Sequence, residues 1–319
     1  MGWIAIFSRR RLQRVSFVVR SDISVLYEDN HLLVVNKPAG LATMGTGDGN
    51  TVHSLACEYL RQKYQKPGNV YLGVVHRLDS MTSGTLVLAR TSKAAARLSE
   101  QFRRSSESLP TERPSTKKND AYVPQKSYLA VVQRVGGGRD ENAWHNDDFR
   151  QGVPIEGSLR DWVVKNERDH RMEVTGKSTQ GAVEAVLDFR RVDDVGSRLK
   201  AVHQRDADAG SRLKAGHQRD ADVGSRLKAV HQRDADAVVE VQLRTGRKHQ
   251  IRVQFASRGY PVWGDVKYGG RQQRGTGIAL HAWRLSIEHP TAKTEMVFQS
   301  PVPEVWRWWF PAVEHWPGD

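Results

Sequence analysis

Three stretches, KSYLAVVQRV (126–135), GAVEAVLDFRRV (181–192) and AVVEVQLRTG (237–246), have the apolar-rich, partly alternating composition of sheet strands. Successive side chains of a strand point to opposite faces, so a period of two gives each stretch a face to bury in a sheet. A chain with such segments spread over more than a hundred residues has to build that sheet from distant parts. Between the last two stand DVGSRLKAVHQRDA, DAGSRLKAGHQRDA and DVGSRLKAVHQRDA, three tandem copies of fourteen residues at 194–235. Val195, Leu199 and Val202 share a helical face, but a glycine interrupts every copy, and a solenoid unit needs about 20 residues or more. The repeat therefore predicts a marginal helix or a disordered expansion at a hairpin tip. His203, His217 and His231 recur only because the unit recurs, which is not a metal-ligand pattern.

The remaining segments supply more strands and a few helices. SVLYEDNHLLVVNKPAG reads as strands at 25–27 and 31–36 joined by the turn-prone Glu28, Asp29 and Asn30. After the glycine-rich LATMGTGDGN, the residues Val52, Leu55, Ala56, Tyr59 and Leu60 recur at three and four, which predicts a helix that Pro67 and Gly68 end. YLGVVHR and TLVLAR read as strands flanking a bend at 78–84, after which Ser92 is expected to cap a helix with Ala95, Leu98 and Phe102 on one side. Residues 103–125 are polar, hold three prolines and lack an apolar period, so they read as a flexible insertion.

At 319 residues the chain can bury a sizeable core, and one enlarged domain at 22–319 carrying both insertions is the expected organisation. A formal charge of +13 suits a polyanionic partner, because a basic surface gains affinity by releasing counterions from phosphates. No run of about 18 apolar residues is present to span a bilayer. Residues 1–21 carry five arginines and no acid between short apolar patches. That is unlike a secretory signal and reads as a basic arm or a loosely packed strand. The single cysteine, Cys57, excludes a disulfide framework and a thiolate metal site. A cytoplasmic, monomeric protein without metal is expected.

The bend in VVHRLDSMTSGTLVLAR sets Asp79 at the mouth of an apolar strand. An aspartate among serine, threonine and glycine is what any turn or helix cap looks like. A carboxylate desolvated there would need a positive partner. LRTGRKHQIRVQFASRG offers Arg247 and Arg252, five apart, too far round a helix to share one partner. One can face a carboxylate while the other faces a phosphate.

VVNKPAGL (34–41), HRLDSMTSG (76–84), KSYLAVV (126–132) and TGRKHQIRVQFASRGYPVWGDVKYGG (245–270), in this order, resemble the RluA-type pseudouridine synthase family, and ALHAWRLSIEHP (279–290) continues the match. Coverage is roughly residues 22–310 outside the insertions. The resemblance implies an α+β fold, a mixed, largely antiparallel sheet with flanking helices and a central RNA-binding cleft. It also implies isomerisation of uridine in ribosomal or transfer RNA without a cofactor: the bond from ribose C1′ to the base nitrogen breaks, the uracil turns, and it rejoins through carbon. Asp79 matches the catalytic aspartate, which meets the sugar carbon or moves a ribose proton, as glycosidase carboxylates act at oxocarbenium-like centres. Arg252 matches its basic partner, and Tyr128 the tyrosine under the uracil ring. Arg77 is placed to fill the gap left by an extruded nucleotide, and Arg247 to hold a backbone phosphate. Lys248, His249 and Lys37 complete the candidate RNA contacts.

Two departures concern substrate contacts. Ser80 and Met81 stand where relatives have a charged pair, and TMGTGDG replaces a shorter segment. The small RNA-binding domain some relatives carry ahead of the catalytic domain is not expected before residue 22. A non-catalytic RNA-binding protein is the alternative function, and its signature would be loss of Asp79 or its basic partner. A glycosidic hydrolase needs two acids flanking the bond, and the core motifs offer one.

Overall fold

The computed structural model describes residues 23–45, 50–107, 122–135, 149, 152–192, 237–272, 275, 277–310, 313 and 316. The repeat at 194–235 and the arm at 1–21 lie outside them. Among the described residues eleven strands form one sheet: β1 (Ser24–Glu28), β2 (Leu32–Lys37), β3 (Gly73–Val74), β4 (Ser83–Ala89), β5 (Gln125–Val132), β6 (Glu156–Asn166), β7 (Arg171–Thr175), β8 (Val183–Arg191), β9 (Ala237–Leu243), β10 (Leu280–Glu288) and β11 (Glu295–Gln299). The order is β1-β2-β4-β10-β5-β9-β8-β6-β7, with β3 on β4 and β11 on β10. Helices α1 (Val52–Lys63), α2 (Ser92–Glu107), α3 (Gln250–Ala256) and α4 (Glu304–Trp309) flank it. No described helix is long and apolar enough to cross a membrane.

Strand β4 is buried along its whole length, and its alternate residues feed two cores. Leu86 and Leu88 join Leu33 and Val35 of β2 against Val52, Ala56 and Leu60 of α1. Val87 and Ala89 join Leu32 and Val34 against Ala94, Leu98 and Phe102 of α2. A strand covered on both faces loses the polar alternation of a half-buried one, which is why LLVV and TLVLA read as continuous apolar runs. The β4–β10 pair is parallel, with His281 opposite Ser83 and Ala282 opposite Gly84, whereas the other pairs are antiparallel. Gly84 makes this approach possible: its φ is +117°, and a Cβ there would stand 2.3 Å from the Ala282 carbonyl oxygen.

Several local expectations shift. Asp29 makes the first turn by accepting from the N–H groups of His31 and Leu32, both at 2.7 Å. Helix α1 ends at Lys63, before Pro67, because Gln65 takes the left-handed conformation at φ 48°. The hydroxyl that caps α2 belongs to Thr91, which accepts from Ala94 N–H at 3.1 Å, while Ser92 is the first helical residue. Residues 103–107 continue α2, so the polar stretch read from 103 begins in helix. Of YLGVVHR only Gly73 and Val74 pair as strand. β6 and β7 carried no legible alternation: of eleven residues in β6 only Leu159 and Val163 are fully buried.

Candidate active site

The bend that carries Asp79 is held from below by the segment that follows β2. Lys37 is fully buried and its ammonium donates to the carbonyls of Pro38 at 2.8 Å and Ser80 at 3.0 Å. Gly40 N–H donates to the same Ser80 carbonyl at 2.8 Å. Thr43 Oγ1 donates to Leu78 O at 2.9 Å and accepts from Leu78 N–H at 3.2 Å. Both sides of Asp79 are thus fastened to the KPAGLAT segment. This corrects the expectation for Lys37, which cannot reach RNA and instead positions the bend. Burial pulls its pKa to about 8 against the opposing charge of Asp79.

The wall facing Asp79 is the loop 245–249 and α3. Gln250 staples that loop to β8: its Oε1 accepts from Thr245 Oγ1 at 2.8 Å and Arg247 N–H at 2.9 Å, and its Nε2 donates to Val186 O at 3.0 Å. The staple brings Arg252 to Asp79, with Nη1 3.2 Å from Oδ2. Arg252 also clamps Asp265 through two parallel bonds, Nε to Oδ2 at 2.6 Å and Nη2 to Oδ1 at 2.8 Å. The side chain of Arg252 is 5% exposed, that of Asp265 1% and that of Asp79 31%. Burial opposes the guanidinium's charge, but Asp265 and then Asp79 outweigh it and raise the pKa above the usual arginine value. The planar fork thus spends its bidentate face on the buried acid and leaves one N–H for the accessible one.

His249 sits beside them in the left-handed conformation, φ 53°. Tyr268 orients the ring: its phenol oxygen accepts from Met172 N–H at 3.0 Å and shares a hydrogen bond with His249 Nδ1 at 2.8 Å. Nε2 then faces Asp79 Oδ2 at 3.6 Å, beyond hydrogen-bond reach. Burial pulls the His249 pKa to about 4, so the ring is neutral near pH 7 and forms no ion pair. The Tyr268 ring lies 5.0 Å from the Arg252 guanidinium carbon.

Asp79, His249 and Arg252 border a cavity of about 820 Å³ whose lining also includes Arg77, Lys126, Tyr128, Arg247 and Lys248. Of the predicted set, the fold brings all but Lys37 to this cavity. Arg77 and Lys248 are exposed at it, and Arg247 donates from Nε to the Glu184 carbonyl at 2.8 Å. Burial, then the charge of Asp79, raises the Tyr128 pKa above the usual phenol value, so the hydroxyl keeps its proton. Among the described residues no group of three His, Cys, Asp or Glu could hold a metal ion. Asp265, Tyr268, Thr43 and Gln250 were not singled out from sequence. Nothing in one dimension separates Asp265 from an ordinary turn aspartate, because its partner Arg252 meets it only after the chain folds back.

Residues 31–257 match the family described as RNA pseudouridylate synthase. The chain belongs to that family. By class it is an RNA pseudouridine synthase. It is 30% identical over 299 residues to ribosomal large subunit pseudouridine synthase D of Xylella fastidiosa, with 88% of this chain and 66% of that protein covered. It is 27% identical over 284 residues to the uncharacterized RNA pseudouridine synthase YhcT of Bacillus subtilis, with 88% of this chain and 69% of that protein covered. Against tRNA pseudouridine synthase C of Salmonella typhimurium the identity is 24%, covering 89% of this chain and 87% of that protein. The chain thus spans about two thirds of the length of the first two relatives. Two solved human structures share the fold. RNA pseudouridylate synthase domain containing 4 aligns with a TM-score of 0.58 at 19% identity, over 92% of this chain and 95% of that one. For domain containing 1 the values are 0.53 and 20%, over 88% and 84%. The α+β architecture implied by the motifs is therefore that of the pseudouridine synthases.

Proposed function

We propose that this chain converts uridine to pseudouridine at defined positions in ribosomal or transfer RNA, without a cofactor, and that Asp79 is the reacting carboxylate. The observation that carries this reading is Asp79 itself, an accessible carboxylate in a cationic cavity with its counter-charge Arg252 locked by Asp265. The uridine enters the cavity extruded from its stack, with Arg77 in the space it leaves. Tyr128 lies under the uracil, and its retained proton gives the turning base a hydrogen-bond donor. Asp79 either bonds to C1′ as the bond to nitrogen breaks or takes a ribose proton. As C1′ bonds to C5 the carboxylate is restored, the proton lost from C5 is balanced by the one gained at the freed ring nitrogen, and no external reactant is required. Arg247 and Lys248 hold backbone phosphates.

The names of the relatives support ribosomal and transfer RNA as the substrate classes. Single-nucleotide mapping of pseudouridine in total RNA, from cells with and without this protein, tests the reading. Sites that vanish with the protein and return on its re-expression support it. Identical maps, together with RNA binding by the purified protein, would establish the non-catalytic alternative instead.

A further inference from the structure

Lys126 is a cavity residue to which the proposed chemistry gives no task. It precedes Tyr128 by two positions on β5, so both side chains leave the same face, about 7 Å apart along the strand, and both line the cavity. Its ammonium stands 5.0 Å from the centre of the Phe102 ring, and that ring stacks on His76 with centroids 4.5 Å apart. His76 Nε2 accepts from Val87 N–H at 3.0 Å. Burial, then the charge of Lys126, pulls the His76 pKa to about 3, so the imidazole is neutral and supplies no counter-charge. Among the described residues no oxygen accepts a hydrogen bond from the Lys126 ammonium and no carboxylate pairs with it. Neighbouring cations are differently placed: Arg103 pairs with Glu100 at 2.7 Å and Arg252 with Asp265 at 2.6 Å.

A desolvated ammonium without an acceptor costs free energy that an arriving anion returns; burial draws this one down to about 8. The cavity lining holds six lysine or arginine side chains and one carboxylate, Asp79, so the anion comes with the ligand. An ammonium with three rotatable donors is a point-charge partner for phosphate oxygens, whereas the neighbouring Tyr128 presents a ring suited to a base. We propose that Lys126 binds a backbone phosphate next to the reacting uridine and so sets the register of the RNA strand in the cleft. This rests on the reading of the cavity as an RNA site, and it assigns a role on the α2 side of the cavity distinct from that of Arg247, which is tied to β8.

The test uses the full chain and an in vitro transcript of large-subunit ribosomal RNA, with affinity measured as a function of salt. Lys126→Met is expected to bind about tenfold more weakly at low salt and to lower the salt slope by about 0.7, the value for one phosphate contact on a single strand. Lys126→Arg should retain both. Unchanged affinity and slope in a folded Lys126→Met protein would overturn the proposal. A measurement on the wild-type protein needs no variant: an amine-acylating reagent, read by mass spectrometry, should modify Lys126 in the free protein and be blocked by bound RNA. Acylation of Lys126 that persists while Lys248 is protected would overturn it too. Turnover in the same transcript is scored separately. Protein that forms no pseudouridine in any RNA but loses RNA affinity at Lys126→Met defeats the isomerase reading and leaves this one standing.

Discussion

Arg252 bonds two acids with different demands, and its neighbours show which demand dominates. Asp265 takes two of its N–H groups in a nearly dry site, and Asp79 takes one at the cavity edge. Replacing Arg252 with alanine leaves both carboxylates unpaired, a change that costs about 3–5 kcal/mol for a buried pair. Arg247→Ala removes a cavity cation with no carboxylate behind it. We therefore expect Arg252→Ala to abolish turnover and lower the melting temperature. Arg247→Ala should weaken RNA binding and reduce the salt slope by about one unit while turnover at saturation persists. Reversed phenotypes would exchange the two roles. Asp265→Asn keeps the volume but removes a charge from the clamp. Turnover at saturating RNA should fall more than RNA affinity does, and equal losses would argue for a purely structural clamp. Only part of this was legible in the sequence. Arg252 and Asp79 stand in recognisable motifs, but Asp265 looks like any loop aspartate until the fold buries it, and Lys37 looks like a surface cation until two carbonyls enclose it.

The elements that carry these residues are held by close approach and by neutral buried rings. Strand β4 can lie parallel to β10 only because Gly84 has no side chain, so Gly84→Ala should fail to fold or lose several degrees of melting temperature. A variant as stable as wild type would contradict the 2.3 Å contact. Helix α2 is fixed by Leu98, fully buried, and Leu98→Ala should cost about 2–5 kcal/mol in urea unfolding. His76, His249 and His281 are drawn by burial to about 3, 4 and 4. With folded pKa values below the unfolded value near 6.5, the unfolded chain binds more protons between those limits, so stability is kept above pH ~6.5 and falls towards pH ~4. The urea midpoint should therefore be lower at pH 5 than at pH 7.5, and His281→Gln should narrow the difference. β5, β8 and β9 announced themselves by their apolar residues, and each has a run of three or four consecutive buried positions. β6 and β7 did not, because β7 is the edge of the sheet and β6 mixes exposed charge with only two fully buried residues.

Across the whole molecule, strands from both ends of the chain meet at one basic cavity, and the repeat enters between two strands that already pair. Arg191 of β8 lies opposite Val239 of β9, so the strands flanking 194–235 form an antiparallel pair whatever length joins them. Closure entropy rises by only about 0.6 kcal/mol per doubling of a loop. Deleting two of the three copies should leave melting and turnover nearly unchanged. Each copy carries three basic and two acidic residues, so a modest loss of RNA affinity, steeper at low salt, is expected with it. A fall in turnover of about tenfold or more at unchanged melting would place the repeat in the substrate site. The repeat is read as an insertion from its period and lies outside the described residues, whereas the cavity, assembled from β5, the Asp79 bend, α2 and the loop before α3, follows from no local pattern. The central claim is that the Asp79 carboxylate reacts. Pseudouridine formation and RNA affinity should be measured side by side for the wild type, Asp79→Ala and Asp79→Asn on an RNA containing a mapped site. We expect both variants to form no product while binding the RNA within a few-fold of wild type, because the carboxylate acts along the reaction path. Ready product from a well-folded Asp79→Ala protein would contradict the assignment.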